Sequence, residues 1–115
     1  MNAATQLLRE LVARPSINPA FVDNPAVSGE ERVAELLIDR ARKAGLDIRR
    51  QAVLPGRKNV LVRLAPAGKV QRRIILAPHL DVVPAEDRQF KPAIKIGRLH
   101  GRGACDTKGS VATFF

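Results

Sequence analysis

Hydrophobic spacing changes at Gly45, from helical to alternating, and that change limits the fold more than any other feature. Upstream, apolar residues recur every three or four positions. Leu7, Leu8, Leu11 and Val12 predict a helix over about Ala3 to Ala13, which Pro15 stops. Val33, Leu36, Leu37 and Ala41 form one face of a second helix, and Gly45 stands where a helix-ending glycine belongs. Ser28, followed three residues later by Glu31, has the spacing of a capping box for its start. Downstream the period is two: Leu46, Ile48, Arg50, Ala52 and Leu54 alternate with Asp47, Arg49 and Gln51, as in a half-exposed strand. Two helices followed by strands point to a layered α/β domain.

The rest of the chain fits that order. Pro15 to Gly29 is rich in proline and asparagine and reads as a long loop. After a PGRK turn, residues 59–65 (NVLVRLA) form a second strand, and after PAGK, residues 72–78 (RRIILAP) form a third. The continuous apolar run of this third strand is what a central strand covered on both faces needs. A loop over residues 84–92 leads to two short pieces, AIKI and RLH, which flank Gly97 like a small hairpin. A last helix opens at Lys108. No repeat or low-complexity tract interrupts the chain, so residues 1–115 are expected to be a single unit. The apolar helical pattern is still running at Val111–Phe115, from which the chain is expected to be the amino-terminal part of a longer protein.

Charge separates few function classes here. Against 11 Asp and Glu stand 20 Lys and Arg, a formal net charge of +9. That balance would suit an anionic partner, either a small carboxylate or a nucleic acid. The basic residues are scattered in twos and threes, short of the run that marks a binding tail, and read as solvated faces. With 3% aromatic residues and no Trp or Tyr, little surface is offered for stacking bases. A basic nucleic-acid-binding module therefore stands only as the alternative function. Cys105 is the only cysteine, so no internal disulfide can form. The polar amino terminus lacks a signal-peptide pattern and no apolar stretch is long enough to span a bilayer. A cytoplasmic protein without a membrane partner is expected.

Two short segments carry chemistry. In LAPHLDVVP (residues 76–84), His79 follows the most apolar strand, at the kind of strand end where α/β sites assemble. Asp81 lies two residues on, and in extended backbone the two side chains share a side. Asp81 can therefore hold one ring nitrogen of His79 and leave the other for a metal. By itself the pattern is open to a second reading, because HxD arises by chance and loop histidines are commonly structural. In GRLHGRGACDTKGS (residues 97–110), Gly101, Gly103 and Gly109 surround Asp106, and glycine permits the backbone that presses a carboxylate against a metal. A tight turn capped by Asp106 is an equally good reading of that segment alone. Phosphate binding is disfavoured, since Lys108 precedes Gly109 rather than following it.

Taken in series, HLDVVP and GRGACDTKG resemble the metal motifs of the zinc-dependent exopeptidase and deacylase family of aminoacylase, acetylornithine deacetylase, succinyl-diaminopimelate desuccinylase and glutamate carboxypeptidase. The opening LLRELVARPSINP, the helix SGEERVAELLIDRARKAGLD, the strand KNVLVRL and the stretch FKPAIKIGRLHGRGACDTKG follow the same family order. The resemblance implies a three-layer α/β catalytic domain with a mixed sheet, incomplete at its carboxy terminus, with a lid and dimerisation domain absent from this chain. It implies a hydrolase that uses two divalent ions, zinc first and cobalt as an alternative, on N-acyl amino acids or small peptides. His79 would bind one metal, Asp106 would bridge both, Asp81 would act in catalysis by orienting the His79 ring, and the Asp106–Thr107 peptide would be cis. The full-length protein would be a homodimer. The family's general base is the first of two adjacent glutamates downstream of the bridging aspartate. Glu30-Glu31 is upstream and reads instead as the acidic first turn of a helix. The 115 residues by themselves are therefore expected to be inactive, and a non-catalytic member of the same fold is a further alternative. His100 and Cys105 are expected to pack, Lys108 to make a structural contact or orient Asp106, and Arg102 to bond nearby carbonyls.

Overall fold

The computed structural model describes all residues, Met1–Phe115. In chain order it contains α1 (Ala3–Val12), α2 (Glu31–Lys43), β1 (Asp47–Leu54), β2 (Arg57–Arg63), a 3-10 turn (Asp87–Phe90), β3 (Ala93–Lys95), β4 (Arg98–His100) and α3 (Lys108–Phe114). Asn2 caps α1, its side-chain oxygen accepting from the Thr5 N–H at 2.8 Å. The apolar stripes named above are the buried ones. Leu7 and Leu11 of α1, Val33 and Leu37 of α2, and Val111 and Ala112 of α3 form one core. Each larger side chain there contributes about 1.5–3 kcal/mol on leaving water.

The end of α2 follows the sequence and its start does not. Gly45 has φ 71°, and the Leu46 N–H reaches back to the Ala41 carbonyl at 3.0 Å, the glycine-dependent closure of a helix carboxy terminus. At the other end the capping residue is Glu30, without a side-chain bond, so the Ser28–Glu31 capping box does not form. The Ser28 hydroxyl donates instead to the Val22 carbonyl and is used up in closing the loop. A capping box forms elsewhere, between Glu86 and Gln89 around the 3-10 turn.

Glu30 and Glu31 pair with Arg57 and Arg50, which ties the β1–β2 hairpin to the first turn of α2. This use fits their exclusion as a catalytic pair. Six of the 20 basic side chains (Arg40, Lys43, Arg50, Arg57, Arg63 and Arg88) close ion pairs with acids.

The mixed sheet and the three layers are not found in these residues. The strands form two separate antiparallel pairs, β1 with β2 and β3 with β4, giving a small mixed α/β unit. Residues 72–78 form no strand and pair with nothing, and Ile74, Ile75 and Leu76 are exposed. The reason is physical: a central strand needs hydrogen-bonding neighbours and a layer over each face, and β1 and β2 pair only with each other.

The Pro15–Gly29 loop contains the contact that positions the site. Ile17 makes parallel bridges with Ser28 on one side and Val82 on the other. The Asn18 N–H donates to the Val82 carbonyl and the Val82 N–H to the Ser16 carbonyl, each at 2.9 Å. Ile17 and Val82 are buried with Phe90 in a second, smaller core.

Candidate metal centre

His79 and Asp106 come together. His79 Nε2 lies 2.9 Å from Asp106 Oδ1, although the two residues sit on different segments. The His79 segment is held by the Ser16–Asn18 clip, reinforced by the Ser16 hydroxyl, which is fully buried and donates to the Leu80 carbonyl at 2.8 Å. The Asp106 segment is a series of turns between β4 and α3. Gly103 within it has φ 84°, and a Cβ there would stand 2.7 Å from Val82 Cγ1, so only glycine lets the two segments approach this closely. The Asp106–Thr107 peptide is cis, as the resemblance implies.

Asp81 is on the far side of the ring. Nδ1 of His79 donates to the Asp81 carbonyl at 3.0 Å, and the Asp81 carboxylate lies a little farther off, at 3.2 Å. The backbone oxygen is thus the nearer acceptor, and the carboxylate flanks the same N–H. The other Asp81 oxygen accepts from the Asn18 side-chain amide at 3.0 Å.

Both ring nitrogens of His79 consequently face acceptors only. A neutral imidazole has one N–H and one lone pair. With the proton on Nδ1, the Nε2 lone pair would point straight at a carboxylate oxygen. A proton shared between Nε2 and Asp106, or a cation held by both, satisfies the arrangement. Partial burial pulls the His79 pKa down, but the hydrogen bonds to Asp106 and to the Asp81 carbonyl, with the two carboxylate charges, outweigh it and leave the value raised.

The donor spacing suits a metal ion. Two donors 2.9 Å apart can both lie at the ~2.0–2.2 Å typical of zinc bound to imidazole and carboxylate. Both are open to a ligand, the His79 side chain being 50% exposed and that of Asp106 85% exposed. They border a cleft of about 200 Å³ whose wall also includes Val83, Arg102 and Cys105. No group of three or more acidic, imidazole or thiol side chains aims at one point, because Asp81 is turned to Nδ1 and Asn18. A larger hollow of about 490 Å³ lies by α2, where Glu10, Asp39, Arg40 and Lys43 line it without a histidine or cysteine.

The secondary candidates differ from their sequence reading. His100 is exposed on β4 rather than packed, and Cys105 is exposed on the cleft wall rather than packed away from it. The Arg102 backbone N–H donates to the Gln89 carbonyl at 2.7 Å, whereas its buried Nε has no partner. Lys108 does not touch Asp106. It is fully buried, and its ammonium donates to the Leu11 and Arg14 carbonyls at the end of α1, both at 2.8 Å. Burial, with the Arg14 charge nearby, pulls its pKa down to about 8. Asn18 and Ser16 were missed. A loop sequence offers no period to mark them, and the one local sign is Asn18 two residues ahead of Ala20, an Asx-turn spacing.

The model of the peptidase family M20/M25/M40 matches residues 75–115, the stretch that contains His79, Asp81 and Asp106. A succinyl-diaminopimelate desuccinylase of Nitrosospira multiformis is 38% identical over 120 residues, which take in 99% of this chain and 28% of that protein. The desuccinylases of Bordetella petrii and Bordetella avium are 36% and 32% identical, again over 28% of their length. The similarity of this chain is thus to the peptidase family M20/M25/M40. It spans a little over a quarter of the length of these relatives. The stretch matched by the family model supplies both facing donors, while the clip that holds one of them, Ser16–Asn18, lies outside it.

Proposed function

We propose that the protein carrying this chain is a metal-dependent hydrolase that cleaves the amide bond of N-acyl amino acids or small peptides. The names of the relatives make an N-succinyl amino acid the first substrate to try. The observation that carries the reading is the His79 ring, held at Nδ1 by acceptors while Nε2 confronts the Asp106 carboxylate. His79 and Asp106 would hold the metal, zinc or cobalt, with Asp106 shared between two ions. Bound there, divalent ions would polarise the scissile carbonyl and lower the pKa of a water molecule. Asp81 serves by fixing the ring and its tautomer, so that Nε2 keeps its lone pair for the ion.

Hydrolysis also needs a base to take the proton of the attacking water. Neither Asp81, committed to His79 and Asn18, nor the ion-paired Glu30 and Glu31 is free for that role. The reading therefore assigns residues 1–115 to the amino-terminal part of a catalytic domain, inactive alone, with the base and further ligands supplied by other parts of the full-length protein. A cytoplasmic homodimer is part of the same proposal, and no helix is long and apolar enough to cross a membrane.

The test uses the full-length protein loaded with zinc or cobalt, with an N-succinyl amino acid as substrate. His79→Ala and Asp106→Ala should each lower metal content and reduce activity by more than the ~100-fold that outer-shell partners alone can cost. Full activity in either variant would remove that residue from the site. Metal binding without hydrolysis of any N-acyl amino acid would favour a non-catalytic member of the fold.

A further inference from the structure

We propose that Asn18 is a positioning residue of this centre: its side-chain amide holds the Asp81 carboxylate, which in turn holds the His79 ring. The proposal rests on the reading of His79 as a metal-binding ring. The orientation of the amide is settled by its surroundings. Its oxygen accepts from the Ala20 N–H at 2.9 Å, so its NH2 group faces Asp81 Oδ2, 3.0 Å away.

The distance between donor and acceptor is set by backbone rather than by side-chain chance. Asn18 and Asp81 ride on the two segments that Ile17 and Val82 pair in parallel, and hydrogen bonds of 2.9 Å run in both directions between them. Asp81 has two oxygens and both are used, Oδ2 by Asn18 and Oδ1 beside His79 Nδ1 at 3.2 Å. Without the amide, the carboxylate is free to turn toward solvent or toward Arg57, whose charge already feels it. Nδ1 would then keep only the Asp81 carbonyl, and the ring would lose the second of the two acceptors that hold its Nδ1–H.

Two substitutions separate this role from simple loop folding. Asn18→Asp keeps an acceptor for the Ala20 N–H, and so the Asx turn, but sets a carboxylate oxygen against Asp81. Asn18→Ser keeps a turn-forming hydroxyl and loses the reach to Asp81. The readouts are the ring nitrogen shifts and Nδ1 proton of His79 in the metal-free full-length protein, and cobalt affinity from the visible absorption of the bound ion. Asn18→Asp should weaken the hydrogen bonding of the His79 Nδ1–H, shifting its proton and nitrogen signals, and weaken cobalt binding by about tenfold, the lower end of outer-shell effects. Asn18→Ser should do the same to a smaller degree, and it decides alone if the aspartate variant does not fold. Wild-type ring shifts and wild-type cobalt affinity in a folded variant would overturn the proposal. An unsubstituted protein that binds no cobalt would instead overturn the metal reading, and the metal-free ring shifts would still decide the role of Asn18.

Discussion

Leu11 and Ile75 are both large aliphatic residues in apolar stretches, yet Leu11 is 0% exposed and Ile75 is 87% exposed. The difference lies in what each kind of element needs before it can bury a side chain. A helix satisfies its own backbone, so α1, α2 and α3 need only bring their apolar stripes together to close a core. Residues 72–78 have the composition of a buried strand, but a strand satisfies its backbone through neighbours. None is paired with them, and the run stays open. Apolar content thus predicts what a segment could bury and says nothing of whether a partner is present to bury it against.

Lys108 tests the stronger of these two regions, because it bolts the start of α3 and the Asp106 segment to the end of α1. Lys108→Met should destabilise the 115-residue chain by about 2 kcal/mol, since two charge-assisted bonds are lost and the Arg14 carbonyl is left short of a donor. Urea unfolding measures it, and an unchanged midpoint would mean that apolar packing alone fixes α3.

A smaller effect is expected where the hairpin meets the helices. The Arg50 guanidinium donates twice to Glu31 and holds its pKa below the ordinary 4.5. Glu31 is partly exposed, so Glu31→Gln should cost about 0.5 kcal/mol at neutral pH. A depressed carboxylate contributes its stability above the unfolded value and loses it as pH falls through the folded one. The gap between variant and parent should therefore close as pH drops from 4.5 downward, and a gap constant through that range would argue against the ion pair.

The smallest effect should come from the open run. Ile75→Lys should change the stability of the 115-residue chain by less than about 0.5 kcal/mol. A loss of several times that amount would show that Ile75 is covered in solution and would erase the contrast with Leu11.

Much of the local structure was legible. Helical spacing predicted α1 and α2, alternation predicted β1, and Gly45 and Gly97 marked a helix end and a hairpin turn. The capping box at Ser28 failed because its hydroxyl had a competing acceptor, the Val22 carbonyl, which no local rule reveals. For the site, His79, Asp81 and Asp106 were singled out by the resemblance of their two segments, taken in series, to a family's metal motifs, and the structure adds how they meet. The Asp81 carbonyl is the nearer partner of Nδ1, with the carboxylate beside it, and Asn18 stands behind both.

By itself, the sequence determined the elements whose hydrogen bonds close within a few residues. Tertiary structure alone decided that Nε2 of His79 faces Asp106, that Ser16–Asn18 clamps Leu80–Val82, and that Lys108 serves α1 rather than Asp106. Those contacts join residues far apart in the chain. Their geometry depends on how packed segments pass one another, which no period or short motif encodes.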